Sequence, residues 1–285
     1  MKHIVFISGK GGTGKSTVVA ELSLLVKDKM LADCDVDAPN LHLLVKGDRL
    51  VTSDYYGASC AKIDAELCIG CGLCWATCRF GAIDERLNVL SMKCEGCGAC
   101  ELVCPNGAIT LAEVKTGETY VDATDRGTFS HAQLDPGAEG SGKLVTEVRK
   151  NLSSFCCNHE QWALIDGSPG TGCQVISSIT GADAVVAVCE PTLSGRSDLE
   201  RVLGVSHHFG IPAYVCINKC DLNPEVAEQI EEFCREKEYP VIGRIPFEPG
   251  IIDALRQLKT PMEAGLTSVS EEIASMWDSL MNELS

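Results

Sequence analysis

The sequence has no long hydrophobic run and few basic residues. No apolar stretch of the chain approaches the ~18 residues of a membrane-spanning helix, so we expect no stable insertion into a membrane. The apolar run at the N-terminus ends at Ile7, directly before a glycine-rich loop, so we expect no signal peptide and predict a cytoplasmic protein. Lys and Arg number 24 against 40 Asp and Glu, which gives a formal net charge of −16. Because such a surface repels phosphate backbones and no cluster of Lys and Arg offsets it, the sequence argues against nucleic-acid binding.

Cysteine, in contrast, is abundant, with 17 in the chain. Stable disulfides are uncommon in a cytoplasmic protein, so regularly spaced cysteines indicate a metal or a metal cluster. Eight of the cysteines form two CxxCxxCxxxC runs that begin at Cys68 and at Cys94, 26 positions apart. Each run is followed by Gly-Ala-Ile at the same spacing. The sequence therefore predicts two copies of one small unit.

Each run places three thiolates on one tight loop, so the fourth ligand of a [4Fe–4S] cluster has to come from elsewhere. In bacterial two-cluster ferredoxins it comes from the other run. The pattern predicts a first cluster held by Cys68, Cys71, Cys74 and Cys104, and a second held by Cys94, Cys97, Cys100 and Cys78. Zinc and disulfides are the alternatives, but zinc prefers paired CxxC knuckles.

The two runs differ after their last cysteine. Pro105 follows Cys104, as in ferredoxins, whereas Arg79 follows Cys78. All eight ligands are retained, so the difference does not affect the predicted number of clusters. A cation near a cluster favours the more negative, reduced state, so we expect Arg79 to raise one reduction potential.

A glycine-rich loop near the N-terminus predicts a nucleotide site. Residues 9–16, GKGGTGKS, fit the pattern GxxxxGK[ST], with an apolar run before them and a helical stretch after. In such a loop, backbone N–H groups surround phosphate oxygens, the lysine neutralises the β- and γ-phosphates, and the serine hydroxyl binds Mg²⁺. The predicted nucleotide contacts are Gly9, Gly11, Gly12, Thr13, Gly14, Lys15, Ser16 and Thr17, with Ser16 also on Mg²⁺.

Lys10 adds a second lysine at the start of this loop. With it, GKGGTGKST resembles the deviant Walker A family, which includes MinD and ParA ATPases, Mrp-type cluster carriers and the nitrogenase iron protein. The resemblance implies a dimer that sandwiches ATP, with Lys10 reaching the nucleotide of the partner. The partner is a second copy of the chain or a paralogue.

Two further segments resemble the switch regions of that family. ADCDVDAPN (32–40) resembles switch I and implies that Asp35 positions or activates the attacking water, with Asp33 as a rival candidate. LIDGSPGTG (164–172) resembles switch II and implies that Asp166 holds the Mg²⁺ shell. The resemblance thus makes Lys10, Lys15, Asp35 and Asp166 the catalytic set, and places Ser16, Asp35 and Asp166 at Mg²⁺, directly or through water.

The adenine contacts are implied by the same resemblance. INKCD (217–221) resembles the end of the base-reading strand, where Asn218 would bond adenine, and the loop of 243–249 brings Pro246 and Phe247 to the base. In the nitrogenase iron protein, cysteines in comparable regions bridge a cluster between the two subunits. The resemblance therefore leaves open whether Cys173 or Cys189 binds a third cluster between subunits here.

The arrangement of apolar runs predicts the fold. Strand-like and helical stretches alternate at the N-terminus and again from residue 143, which indicates an α/β fold with a mostly parallel sheet. Residues 113–142 are polar and glycine-rich and are expected to form hairpins and loops. The predicted domains are a P-loop NTPase domain in two parts, 1–60 and 114–285, and an inserted bacterial-type ferredoxin (α+β) domain, 61–113.

As a whole, the chain resembles MinD-superfamily P-loop ATPases that contain an inserted ferredoxin domain. The resemblance implies that the cofactors are ATP or ADP, Mg²⁺ and two [4Fe–4S] clusters. Our leading hypothesis is a nucleotide-gated dimer that couples ATP hydrolysis to electron transfer to a redox partner or metalloprotein. The alternative is ATP-dependent assembly or carriage of iron–sulfur or other metal clusters.

Overall fold

The computed structural model describes residues 1–156 and 159–284. Cys157, one of the cysteines outside the two runs, lies outside the described residues. The chain divides into two compact units. The first unit comprises Met1–Ser53, Thr119–Leu134 and Glu139–Ser285, and the second comprises Asp54–Glu118 and Asp135–Ala138. The second unit is therefore longer at both ends than the predicted insert of 61–113.

Nine strands lie in the described part of the chain. They are β1 (Lys2–Ser8), β2 (Lys29–Asp33), β3 (Gly47–Ile63), β4 (Ile109–Thr124), β5 (Gly127–Leu134), β6 (Trp162–Pro169), β7 (Ala184–Cys189), β8 (Ala213–Asn218) and β9 (Val241–Ile245). They form one sheet in the order β3-β4-β5-β2-β6-β1-β7-β8-β9. The pairs from β5 to β9 are all parallel, which confirms the predicted mostly parallel sheet.

Ten α-helices occur between and after these strands in the described residues. They are α1 (Lys15–Leu25), α2 (Leu41–Leu44), α3 (Leu73–Thr77), α4 (Ala99–Leu102), α5 (Gly142–Ser154), α6 (Cys173–Ile179), α7 (Leu193–His208), α8 (Pro224–Glu236), α9 (Gly250–Arg256) and α10 (Thr267–Leu284). A 3₁₀ turn covers Ser91–Lys93. No helix of the described residues is both long enough and apolar enough to cross a bilayer.

The central strands are buried on both faces, which explains their continuous apolar sequences. Ile4, Val5, Phe6 and Ile7 of β1 are all fully buried between β6 and β7. Because neighbouring parallel strands end at the same edge of the sheet, the residues at their carboxyl ends meet there. Asp33 at the end of β2 is paired in register with Asp166 of β6.

The expectation of hairpins and loops for residues 113–142 is confirmed, because β4 and β5 are neighbouring strands joined by the turn at 125–126, and a loop at 135–141 follows them. The 17-residue strand β3 was not expected. Only Tyr55 and Ala61 of β3 are buried. A strand exposed on both faces has no alternation of apolar and polar residues, so its sequence gives no strand signal.

The second unit repeats its backbone with the period of its cysteine runs. The N–H of Asp64 donates to the carbonyl of Ala108 at 2.8 Å, and the N–H of Leu90 donates to that of Ala82 at 2.7 Å. The two donors are 26 positions apart, and the two acceptors are also 26 positions apart. Positive φ angles recur at the same offset in the glycine pairs Gly70 and Gly96, Gly72 and Gly98, and Gly81 and Gly107. The end of each half of the repeat therefore pairs with the start of the other half.

Candidate functional site

A cavity of about 570 Å³ opens at the carboxyl end of β1 and contains most of the predicted nucleotide site. Residues 11–17 of the glycine loop line it, as do Asp35, Asn218, Pro246 and Phe247. Gly9 and Lys10 do not line it. A Cβ atom on Gly9 would lie 2.7 Å from the backbone of Asp198, so the loop passes too close to α7 for another residue.

The loop lysine lies among carboxylates at the floor of this cavity. Lys15 Nζ forms an ion pair with the buried Asp166 Oδ1 and lies 3.9 Å from Asp35 Oδ2. Burial alone would lower the pKa of Lys15, but the charges of Asp166, Asp35 and Asp33 outweigh it and raise the pKa. Lys15 is therefore a permanent cation, positioned where an anionic phosphate would meet it.

Asp33 and Asp35 have different surroundings, which separates the two candidates for the hydrolytic carboxylate. Asp33 is fully buried, and its oxygens accept the N–H groups of Asp35 and Leu41, both at 3.0 Å. Burial and the nearby charge of Asp166 raise the pKa of Asp33 to about 8. Asp35 instead faces the cavity. The geometry favours Asp35 as the group next to a bound nucleotide, with Asp33 fixing the loop that carries it.

The oxygens near Lys15 fit a magnesium site. Asp166 Oδ2 is buried and makes no hydrogen bond within the described residues. Ser16 lines the cavity on the same loop as Lys15. Carboxylate and hydroxyl oxygens are ligands of the kind that Mg²⁺ takes, usually with water and phosphate oxygens completing its shell. The residues present therefore fit the predicted ion.

Lys10 does not line the cavity and is held within its own chain. Its Nζ lies 2.6 Å from Glu190 Oε1 and within 3.4 Å of the hydroxyls of Thr192 and Ser194. Glu190 Oε2 accepts from Lys219 Nζ at 3.0 Å, and Lys219 also donates to the carbonyl of Gly12 at 3.1 Å. Burial would raise the pKa of Glu190, but the two lysines outweigh it and lower the pKa.

Sequence reasoning did not identify Glu190 or Lys219 as parts of the site. Glu190 directly follows β7 and Lys219 directly follows β8, so both stand at the edge of the sheet that holds the glycine loop. That placement is a usable signal, because ligand sites of open α/β sheets lie outside the carboxyl ends of the strands.

The predicted base contacts lie on one wall of the cavity. Pro246 and Phe247 line it beside the apolar residues Ile251, Ile252 and Leu255, which were not predicted. The side-chain amide of Asn218 donates to the carbonyl of Thr13 at 2.7 Å. In this conformation Asn218 fixes the phosphate loop, so an adenine would have to meet the part of the amide that remains open to the cavity.

The eight cysteines of the runs line two separate cavities in the second unit. Cys68, Cys71, Cys74 and Cys104 line one, a small cavity of about 20 Å³. Cys78, Cys94, Cys97 and Cys100 line the other, which is also about 20 Å³. Each cavity thus collects three cysteines of one run and the last cysteine of the other.

Backbone N–H groups point at several of these sulfurs. The N–H of Ala82 donates to Cys78 Sγ and that of Ala108 to Cys104 Sγ, both at 3.3 Å. The N–H of Ala61 donates to Cys94 Sγ at 3.5 Å. Such bonds favour a thiolate over a thiol, as a metal ligand requires. Burial would raise the pKa of Cys78, but backbone donors from residues 80–83 lower it.

Within residues 1–156 and 159–284, no three His, Cys, Asp or Glu side chains converge as ligands of one ion. The ligand sets expected from the two cysteine runs therefore stay a prediction.

Cys173 and Cys189 occupy different environments. Cys173, at the start of α6, is exposed. Cys189 is 3% exposed, and burial raises its pKa. A ligand shared between subunits has to reach the surface, so in this conformation only Cys173 has the access that such a cluster requires.

Comparison with known proteins gives four informative likenesses. The family model described as "CobQ/CobB/MinD/ParA nucleotide binding domain" matches residues 4–261. "Uncharacterized protein MJ0578" of Methanocaldococcus jannaschii is 35% identical over 227 residues, which are 77% of this chain and 79% of the relative. The cell division ATPase MinD of Pyrococcus furiosus has a TM-score of 0.59 at 19% identity, over 99% of this chain and 98% of that chain. MinD of Pyrococcus horikoshii, complexed with Mg-ADP, has a TM-score of 0.59 at 17% identity, over 100% and 98%. At these identities, the two solved structures show the likeness of the fold alone.

Proposed function

The chain belongs to the family of CobQ/CobB/MinD/ParA nucleotide binding domains, and we propose that it is an ATP-hydrolysing iron–sulfur protein. In this proposal, a nucleotide-gated dimer couples ATP hydrolysis to electron transfer through two [4Fe–4S] clusters. The observation that carries the proposal is the grouping of the eight run cysteines into two cavities of four. The same chain has a phosphate loop at a cavity large enough for a nucleotide.

The donor sets support cubane clusters as the occupants of the two cysteine cavities. Four cysteine thiolates are the usual ligand set of a [4Fe–4S] cluster, and the exchange of the fourth ligand is typical of two-cluster ferredoxins. When bound, the clusters supply reversible one-electron transfer. The protein contributes the thiolates and the N–H donors to their sulfurs, which help set the potentials.

At the nucleotide site, the residues divide the work of phosphoryl transfer to water. Lys15 and the backbone N–H groups of the loop neutralise phosphate charge; Ser16 and Asp166 would hold Mg²⁺, which would supply further neutralisation of that charge. Asp35 faces the cavity and orients the attacking water. Binding of a phosphate would draw Lys15 away from Asp166, which frees that carboxylate for the metal shell.

The dimer in this proposal requires Lys10 to change partners. Lys10 is now paired with Glu190 of its own chain. To reach the nucleotide of a partner subunit, homologous or identical, it has to leave that ion pair. ATP hydrolysis, which removes the γ-phosphate, would return Lys10 to Glu190 and open the dimer.

Counting iron in cysteine variants tests the proposal. After anaerobic reconstitution, the wild-type chain should bind eight irons and eight sulfides, and each single variant, Cys68→Ala, Cys104→Ala or Cys78→Ala, should retain about four. The double variant of Cys68 and Cys104 should also retain four irons, because both belong to one cluster. The double variant of Cys68 and Cys78 should retain none.

Two results would contradict this assignment. If the double variant of Cys68 and Cys78 retained four irons, each run would hold its own cluster. If the wild-type chain bound a stoichiometric amount of zinc in preference to iron, the electron-transfer proposal would be wrong. In parallel, Mg²⁺-dependent ATP hydrolysis should be present in wild type and absent in Lys15→Ala.

Cluster assembly or carriage is a second candidate, favoured by the exposure of one ligand in each set. Cys71 and Cys97 are both exposed. An exposed ligand allows an acceptor protein to approach the cluster and exchange thiolates. Transfer of iron and sulfide to an apo-ferredoxin, stimulated by ATP, would support this function. Two clusters retained through repeated reduction and oxidation would support electron transfer.

A further inference from the structure

Asp37 lies in the loop that carries Asp35. The N–H of Ala38 donates to the carbonyl of Asp35 at 3.2 Å, so these two residues are the ends of one tight turn that contains Asp37. Asp33 holds the base of the loop, because its oxygens accept the N–H groups of Asp35 and Leu41. Any contact that fixes Asp37 within the turn therefore also limits the movement of Asp35.

Both carboxylate oxygens of Asp37 accept hydrogen bonds from other segments of the chain. The N–H of Gly140 donates to Asp37 Oδ1 at 2.9 Å, and Gln174 Nε2 donates to Asp37 Oδ2 at 2.7 Å. Gln174 Nε2 also donates to the carbonyl of Gly140 at 3.0 Å. The three residues form a closed network, which joins the turn of Asp35 to helix α6 and to the segment that precedes α5.

The close approach of Gly140 depends on its lack of a side chain. A Cβ atom at this position would overlap Asp37 Oδ1 and would lie 2.7 Å from Cγ2 of the buried Val36. Any other residue would therefore displace the carboxylate from the network. Glycine allows the backbone N–H at position 140 to reach Asp37 directly.

The surroundings of Asp37 differ from those of the other two carboxylates in this loop. Asp33 is fully buried at the base of the loop, and Asp35 lies 3.9 Å from Lys15 Nζ. Asp37 and Gln174 line the nucleotide cavity as well, but both oxygens of Asp37 already face N–H donors. This arrangement favours a role in holding the turn over direct contact with the nucleotide or with Mg²⁺.

We propose that Asp37 is a positioning residue for ATP hydrolysis, which holds the turn through Gly140 and Gln174 so that Asp35 stays directed at the attacking water. This inference rests on the proposed function, since it requires the cavity to hydrolyse ATP. The phosphate-binding groups of residues 11–17 belong to a different loop. Loss of the network should therefore slow hydrolysis and leave the binding of ATP unchanged.

The test compares Asp37→Ala, which removes both acceptors, with Asp37→Asn, which keeps one carbonyl oxygen for the N–H of Gly140. Mg²⁺-dependent ATP hydrolysis is measured at protein concentrations at which a further increase leaves the specific rate unchanged, so that dimer formation does not limit the rate. In Asp37→Ala, kcat should fall about tenfold, the scale expected for the loss of two hydrogen bonds, and KM for ATP should change less than about twofold. Asp37→Asn should recover part of the lost rate.

Two further variants examine whether the network acts as a unit. Gln174→Ala should lower kcat, and the double variant of Asp37 and Gln174 should be no slower than Asp37→Ala alone, because both changes break the same contact. Glu139→Ala is the matched control. It removes an exposed carboxylate next to Gly140 but none of the three hydrogen bonds, so it should keep the wild-type kcat.

Several results would overturn the inference. A wild-type kcat in Asp37→Ala, an equal fall in Glu139→Ala, or no recovery in Asp37→Asn would each contradict the positioning role. A fall in kcat that excess Mg²⁺ restores would make Asp37 a metal ligand instead. A double variant as slow as the product of the two single losses would show that Asp37 and Gln174 act separately. A wild-type chain that does not hydrolyse ATP would overturn the proposed function itself, and this inference with it.

Discussion

Replacing Glu190 by Gln tests whether the ion pair with Lys10 opposes dimer formation. Glu190 bridges Lys10 and Lys219 in the monomer. Glutamine has a similar shape but no charge, so it removes the ion pairs and can retain hydrogen bonds. If Lys10 acts on the nucleotide of the partner, the variant should form its ATP-dependent dimer more readily than the wild type.

The size of the effect follows from the geometry of the pair. The Lys10 and Glu190 side chains are 32% and 18% exposed, so their pair is intermediate between a surface pair and a buried one. Surface pairs contribute 0.2–1 kcal/mol and the loss of one partner of a buried pair costs 3–5 kcal/mol, so we take about 1 kcal/mol. A dimer has to break two such pairs, one in each chain. The expected gain is about 2 kcal/mol, or roughly 30-fold in the dimer dissociation constant.

Sedimentation velocity with a non-hydrolysable ATP analogue measures that constant. Glu231→Gln is the matched control, because Glu231 pairs with Arg244 at 2.8 Å away from the nucleotide cavity. It should leave the dimer constant unchanged. In a Lys10→Ala background, Glu190→Gln should give no gain. A Glu190→Gln dimer that is no tighter than wild type, or a gain that persists without Lys10, would refute the reasoning.

Three further predictions concern single side chains. Asp166→Asn should lower the free energy of unfolding of the nucleotide-free chain by about 3 kcal/mol in urea denaturation, because buried Lys15 loses its principal partner; a change below 1 kcal/mol would contradict this. Burial lowers the pKa of His131 from 6.5, so the neutral ring is the folded form and stability should fall as the pH drops below 6.5. The loss of melting temperature between pH 7.5 and 5.5 should be smaller in His131→Gln, and an equal loss would exclude His131 as a cause. Arg79→Pro should lower one cluster potential by less than the 59 mV of a tenfold change, since Arg79 is exposed; no shift in a resolved titration would remove the idea.

The strands of the first unit could be predicted because they are buried on both faces. A run such as Ile4 to Ile7 has to be apolar throughout, and this signal survives without any knowledge of its neighbours. The glycine loop could also be predicted from the sequence, because close contact with phosphate requires its residue types. The apolar run before Asp166 likewise predicted a strand there, although β6 continues past Asp166 to Pro169.

The long strand β3 could not be predicted in the same way. Most of β3 is exposed, so burial places no constraint on its residue types. The role of Glu190 could not be predicted from the sequence for a different reason. Its contacts to Lys10 and Lys219 join segments that are 180 and 29 residues apart in the chain, and only the order of β1, β7 and β8 in the sheet brings them together.

The cysteine region could be predicted in part. Their spacing predicted which cysteines should share a cluster, and the cavities of the second unit group the same two sets of four. The contact of Ala61 with the second run was not predicted, because Ala61 precedes the first run by seven positions and yet donates its N–H to Cys94 Sγ. A repeat in the sequence shows which residues are equivalent, whereas the contacts between halves require the fold.

The most direct test of the central claim is the rate of electron transfer from the reduced protein to a bulky acceptor, oxidised cytochrome c, in each nucleotide state. The reconstituted wild type should transfer electrons at different rates with ATP and with ADP. Lys10→Ala should show the ADP rate with either nucleotide, because it cannot form the ATP-bound dimer. Equal rates with ATP, with ADP and in Lys10→Ala, from a protein that holds both clusters and hydrolyses ATP, would contradict coupling between the two sites.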